Sequence, residues 1–205
     1  MIELYYHNTP NGNKIKIALE EMELEYQIKP IDISNNEQFD KDYLVISPNN
    51  KIPAIVDLDG PDGEPVSVFE SGAILQYLGR KTKKFYPTNE RQRIMVEEWL
   101  MWQVGGFGPM LGQNHHFRIY AKEKIDYAIT RYADETTRLY NVLNTQLESR
   151  DYVAGEYSIA DMAIITWVLS HNLHQIDLED FPNVKNYMQR ILARPAVQRA
   201  LEGTR

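Results

Sequence analysis

Residues 2 to 6 carry a strand-like pattern, and Thr9-Pro10 follows as an N-cap with proline at the first helical position, where its missing N–H is harmless. Ile15, Ala18, Leu19 and Met22 recur at helical spacing, so a helix is expected with Lys14, Lys16, Glu20 and Glu21 facing away from its apolar side. Residues 26 to 31 form a second strand. Strand, helix and strand within about 30 residues make a βαβ unit, with parallel strands and a right-handed crossover. A long loop comes next, ending in the turn-rich Ser47-Pro48-Asn49-Asn50-Lys51-Ile52-Pro53. Residues 54 to 58 and 65 to 68 then flank Asp59-Gly60-Pro61-Asp62-Gly63 as a hairpin with a loop longer than two residues. A further helix starts at about Ser71, with Ile74, Leu75 and Leu78 on its buried side.

From Thr88 onward the strand signal disappears. The expected organisation is therefore an α/β domain over residues 1–80, a polar linker over 81–87 and an all-helical domain over 88–205. In the second part, a helix containing Trp99 and Trp102 runs into Gly105-Gly106-Phe107-Gly108-Pro109, which is expected to bend or break it and open a pocket. Ile125, Ile129, Tyr132, Leu139, Leu143 and Leu147 hold one stripe, as in a long bundle helix. Ser158-Ile159-Ala160-Asp161 has the form of a capping box, with Tyr157 and Met162 as a hydrophobic staple. Residues 162 to 169 behind it are apolar almost all round, which marks a buried core helix.

Composition narrows the function classes. With 43% hydrophobic and 25% charged residues, the 205-residue chain has the balance of a folded globular protein. A net charge of -7 argues against a nucleic-acid partner, which needs a concentrated cationic face. No apolar run reaches membrane-spanning length and no basic n-region precedes the first strand, so neither secretion nor a membrane is expected. The chain has no cysteine, which fits a reducing compartment, here taken as the cytoplasm. Any sulfur chemistry must then use sulfur carried by ligands. His115-His116 and the pair His171 and His174 lack the spacing and the carboxylates of a metal site, and no metal is expected.

Four segments in this order resemble the glutathione transferase superfamily: Thr9-Pro10-Asn11-Gly12, Lys51-Ile52-Pro53, Phe69-Glu70-Ser71-Gly72-Ala73-Ile74 and Ser158-Ile159-Ala160-Asp161. The Thr-Pro-Asn-Gly-x-Lys start is most similar to the bacterial nu-class, the disulfide-bond reductase type, and to the related fungal nitrogen-regulator-like branch. The resemblance implies a thioredoxin-like glutathione-binding domain followed by a helical bundle domain, a homodimer, and glutathione as co-substrate with a small electrophile or disulfide. It also implies reduction of small disulfides ahead of conjugation.

The resemblance makes Ile52-Pro53 the cis-proline element. The ten prolines alone would not single out Pro53. Ile52 would then pair its backbone with the extended tripeptide like an added strand. Ser71 at a helix N-terminus suits the γ-glutamyl carboxylate, Glu70 the ammonium, and Lys51 with Gln38 the glycyl end. Thr9 and Asn11 are the candidate thiolate stabilisers. Tyr5 and Tyr6 compete for that role, because other branches use a tyrosine near the end of this strand. Arg131, in Arg131-Tyr132-Ala133-Asp134-Glu135-Thr136, matches an arginine that approaches glutathione across the dimer in nu-class relatives.

Each candidate has a plainer role too. Thr9 and Ser71 are good caps, Lys51 and Arg131 good solvated charges, and Asp161 is a folding residue rather than a site residue. Met110, Phe117, Tyr120 and Trp167 suit either a second-substrate pocket or simple core. The alternative functions are a non-catalytic glutathione-binding module with a regulatory or scaffolding role, and a dimerisation protein that has lost the ligand. The chain is expected to lack a scaffolding tail, and the full set of ligand residues argues against loss of the ligand.

Overall fold

The computed structural model describes residues 1–203. They divide into two compact units, Met1–Tyr86 joined by the segment from Pro195 onward, and Pro87–Arg194.

The first unit is built on β1 (Ile2–Tyr6), α1 (Pro10–Met22), β2 (Tyr26–Pro30), α2 (Lys41–Ile46), β3 (Ala54–Asp57), β4 (Val66–Phe69) and α3 (Ser71–Thr82). The sheet runs β2-β1-β3-β4, with β1 and β2 parallel and the other pairs antiparallel. This is the thioredoxin-like arrangement. β2 lies at the edge, where Pro30 costs no ladder bond. Leu4, Ile15, Ala18, Ile55, Ile74 and Leu75 are fully buried and weld α1 and α3 to the sheet. α9 (Pro195–Leu201) packs on α1, where Arg199 pairs with Glu20 at 2.8 Å.

Two expectations fail here. The segment before the Ile-Pro loop is not all loop, because Lys41–Ile46 coils into α2 and buries Tyr43. Nor do all of the charged residues on α1 face away: Lys14, Lys16 and Glu21 are buried while Glu20 is partly exposed. α1 is covered on two sides, by α3 and α9, so a one-sided apolar stripe understates how much of it is enclosed.

The second unit is helical: α4 (Glu90–Trp102), α5 (Gly108–His115), α6 (Asp126–Gln146), α7 (Ile159–Val168) and α8 (Pro182–Leu192). Every residue of α7 is buried, as its all-round apolar pattern requires, and the Ser158–Asp161 capping box is formed. Leu139 and Leu143 are buried on α6, while Ile125, just before it, is 42% exposed and closes no core. The Gly105-to-Pro109 segment does not break the chain into two separated helices. A π turn over Gln103–Phe107 links α4 to α5, and the Gly108 N–H reaches back to the Gln103 carbonyl. The wider turn accommodates Pro109, whose missing N–H would orphan a carbonyl in a continuous α-helix.

Candidate functional site

Register gathers sequence-predicted residues of the first unit past one end of the strands. Tyr5 of β1 is opposite Ala54 of β3, and Ala54 is opposite Phe69 of β4. Just beyond this row lie Thr9 after β1, Ile52-Pro53 before β3, and Glu70-Ser71 after β4. The Ile52-Pro53 bond is cis. The loop ahead of it is tied down at the Lys51 carbonyl, which accepts from Tyr43 Oη at 2.6 Å and from Ser47 Oγ at 2.9 Å. Those bonds hold the backbone of Lys51 and leave its side chain exposed.

Thr9 caps α1, with extended backbone and with its Oγ1 accepting from the Gly12 N–H at 3.1 Å. Its carbonyl takes the Asn13 N–H at 2.9 Å. The cap role is therefore real, and it fixes the hydroxyl at the positive end of the helix dipole. Asn11 stands two residues on, half-buried. Gly12 lets this turn approach the strand end, since a Cβ there would lie 2.4 Å from the His7 carbonyl oxygen.

The competing tyrosines are engaged elsewhere. Tyr6 Oη donates to Asn13 Oδ1 at 2.6 Å, and burial pushes its pKa up to about 12. Tyr5 Oη donates to Glu3 at 3.3 Å, and burial followed by the Glu3 carboxylate raises its pKa.

At the start of α3, Glu70 adopts φ 69° and ψ 118°, a conformation that side-chain-bearing residues avoid. Its Oε1 accepts from Asn49 Nδ2 at 3.3 Å, joining the β4–α3 corner to the Ile-Pro loop. Ser71 is buried and its Oγ accepts from Lys14 Nζ at 3.2 Å. Gln38 presents a buried Oε1 with no hydrogen-bond partner.

Lys14, Asn13 and Asn49 were missed as parts of this constellation. Lys14 had a signal in the sequence: it lies four residues before Ala18, on the same helical face as that apolar position. Asn13 and Asn49 carry no local signal of their pairing.

In the second unit, a cavity of ≈ 510 Å³ is lined by Met110 of α5 and by Tyr127, Arg131, Asp134 and Arg138 of α6. Arg131 is exposed there, whereas Arg138 is held by a two-pronged bond to Glu135. Of the suggested pocket aromatics, Trp167 is buried in the core and Phe117 stacks on Tyr132 at 5.5 Å. Tyr120 is 66% exposed. Asp161 is fully buried and accepts from Val153 N, Ser158 N, Ser158 Oγ and Tyr187 Oη, a structural role throughout. Among the described residues, no group of three or more His, Asp or Glu side chains is placed to hold a metal ion. No helix among them is long and apolar enough to cross a membrane.

A four-stranded thioredoxin-like unit followed by a helical unit defines a class that comparison with known proteins resolves to a family. Residues 2–80 match the model of the glutathione S-transferase N-terminal domain, and residues 109–195 match that of the C-terminal domain. The chain belongs to the glutathione S-transferase family. It is 54% identical over 203 residues to the disulfide-bond oxidoreductase YfcG of Escherichia coli, covering 98% of this chain and 94% of that one. A glutathione transferase from Burkholderia graminis, solved with two glutathione molecules per subunit, superposes with a TM-score of 0.93. It is 40% identical and the match covers 98% of this chain and 88% of that one. A Pseudomonas putida transferase solved with one glutathione disulfide per subunit gives a TM-score of 0.92, also at 40% identity, over 98% and 91% of the two chains.

Proposed function

We propose that this protein is a glutathione-dependent disulfide reductase of the nu-class type, acting as a cytoplasmic homodimer. Its residues 1–80 would be the glutathione-binding domain, joined by residues 81–87 to the helical domain over 88–205. The observation that carries this reading is the absence of cysteine from a chain 54% identical to a disulfide-bond oxidoreductase. All reacting sulfurs must then come from ligands. A glutathione thiolate attacks one sulfur of the substrate disulfide, forming a mixed disulfide and expelling one substrate thiolate. A second glutathione thiolate attacks the glutathione sulfur of that mixed disulfide, releasing the other substrate thiolate and glutathione disulfide. Two glutathiones are oxidised and one substrate disulfide is reduced.

A free thiol has a pKa near 8.5, and lowering it by two units requires about 2.7 kcal/mol of thiolate stabilisation. In this reading Thr9 Oγ1 and the Asn11 amide supply it at the positive end of α1. The engagement of Tyr5 with Glu3 and of Tyr6 with Asn13 supports that choice. Ile52 pairs with the tripeptide backbone, and Pro53 shapes that turn. Glu70 and Ser71 take the γ-glutamyl end, Lys51 and Gln38 the glycyl end, and Arg131 the reacting region from the partner subunit. Conjugation to electrophiles is the weaker activity.

The test is steady-state reduction of 2-hydroxyethyl disulfide beside conjugation of 1-chloro-2,4-dinitrobenzene, for the wild type, Thr9→Ala and Asn11→Ala. Disulfide reduction should dominate, and at least one substitution should lower it tenfold or more, about 1.4 kcal/mol of barrier. Glutathione binding with neither reaction above the uncatalysed rate would replace the enzyme by a non-catalytic binding module.

A further inference from the structure

Lys14 is only 2% exposed, an environment in which a lysine ammonium pays a large desolvation cost. Its Nζ lies 3.2 Å from Ser71 Oγ, at the first residue of α3. The side chain therefore reaches from the middle of α1 to the point where the α3 amides begin. Glu70 faces it from the start of α3, and the Ser71 hydroxyl is neutral. On α1 itself, Lys16 lies over the Tyr6 ring and Glu20 is taken by Arg199 of α9 and by Tyr26 Oη of β2. At the end of β1, Tyr6 Oη is committed to Asn13.

We propose that Lys14 is a charge-balancing and positioning residue for the γ-glutamyl carboxylate: it backs that carboxylate through Ser71 and takes up a proton as the carboxylate binds. The proposal rests on the glutathione reading of the site given above. Burial lowers the Lys14 pKa to about 7 against the opposing pull of Glu70, so the side chain is poised between amine and ammonium near neutral pH. An arriving anion favours the ammonium and raises that pKa. Binding then consumes a fraction of a proton, more at pH 8 than at pH 6, and affinity falls as pH rises through 7. Lys14 makes the transfer of one H⁺ from solvent to Nζ and takes no part in sulfur chemistry.

S-methylglutathione isolates this step, because it keeps the γ-glutamyl end and has no thiol to ionise. Calorimetric titration at pH 6 and pH 8, in buffers of different ionisation enthalpy, should show proton uptake by the wild type at pH 8 and a Kd about fivefold weaker than at pH 6. Lys14→Arg should hold the pH 6 affinity at both pH values with no proton uptake, a separation that a merely structural role would not produce. Lys14→Met should bind at least tenfold more weakly at pH 6. Wild-type binding that is independent of pH and takes up no proton overturns the role of Lys14 while leaving the glutathione site intact, and this arm needs no variant to fold. Failure of the wild type to bind S-methylglutathione at either pH overturns the glutathione reading itself.

Discussion

The phenol of Tyr6 donates its proton to Asn13 Oδ1 at 2.6 Å, which directs it along the first turn of α1 rather than toward a ligand sulfur. Tyr6→Phe should therefore leave disulfide-reductase kcat/KM within about threefold of wild type. It should cost about 1 kcal/mol of stability for the lost bond. Parallel turnover and urea-unfolding measurements check this, and a loss of activity beyond tenfold would return Tyr6 to the catalytic role.

Glu70 combines a left-handed φ with a carboxylate assigned here to the ligand ammonium. Glycine accepts that backbone without penalty, so Glu70→Gly should raise the unfolding free energy by about 1 kcal/mol. The same change should weaken glutathione binding at least tenfold. Thermal unfolding read beside calorimetric Kd would show the two effects moving in opposite directions, and a variant that binds as well as wild type would remove Glu70 from the site.

Gly12 has no room for a methyl group, with the His7 carbonyl 2.4 Å and the Tyr6 ring 2.9 Å from the position a Cβ would take. Gly12→Ala must push the first turn of α1 away from the end of β1. Overpacking of this kind costs about 1–3 kcal/mol. The displaced turn carries Thr9 and Asn11, so kcat should fall further than stability alone explains, as seen by assaying well below the melting temperature.

Asp161 receives four hydrogen bonds in a fully buried position, and its loss strands donors on Val153, Ser158 and Tyr187. Asp161→Ala should cost about 3–5 kcal/mol in urea unfolding. Glutathione affinity of the folded fraction should not change, which separates this folding residue from the ligand set.

His115 and His174 stack with ring centroids 4.2 Å apart, and neither Nε2 has a hydrogen-bond partner. Burial pushes His174 down to about 2 and lowers His115. The unfolded chain protonates such groups near pH 6.5 while the folded chain does not, so their stabilising effect is present above pH 6.5 and is lost as pH falls. Asp161 acts oppositely. Burial pushes it up to about 6, so the folded state binds its proton first as pH falls. Between pH 7 and 5, His174 alone should remove about 2 kcal/mol. Urea unfolding at both pH values should show the wild type losing about 2 kcal/mol more than His174→Phe between them, since Asp161 and His115 contribute equally to both proteins; equal pH slopes would refute it.

Local sequence signals carried much of this protein. The Thr9 cap, the apolar faces of α1 and α3, the Ser158–Asp161 capping box and the all-apolar α7 each rest on neighbours within one or two turns, and such features are legible without a fold. The order of strands and helices followed from them, as did the requirement that reacting sulfur come from ligands. Tertiary structure decided what depends on residues far apart in the chain. Lys14 meets Ser71 across 57 positions, and Glu70 meets Asn49 across 21. The enclosure of Lys14, Lys16 and Glu21 required α3 and α9 to close over α1. α2 formed within the stretch expected to be a long loop, ahead of its turn-rich end, because packing of Tyr43 and its bond to the Lys51 carbonyl anchor that segment. Charge burial and hydroxyl commitment are properties of assembled neighbours, and only the folded chain brings those neighbours together.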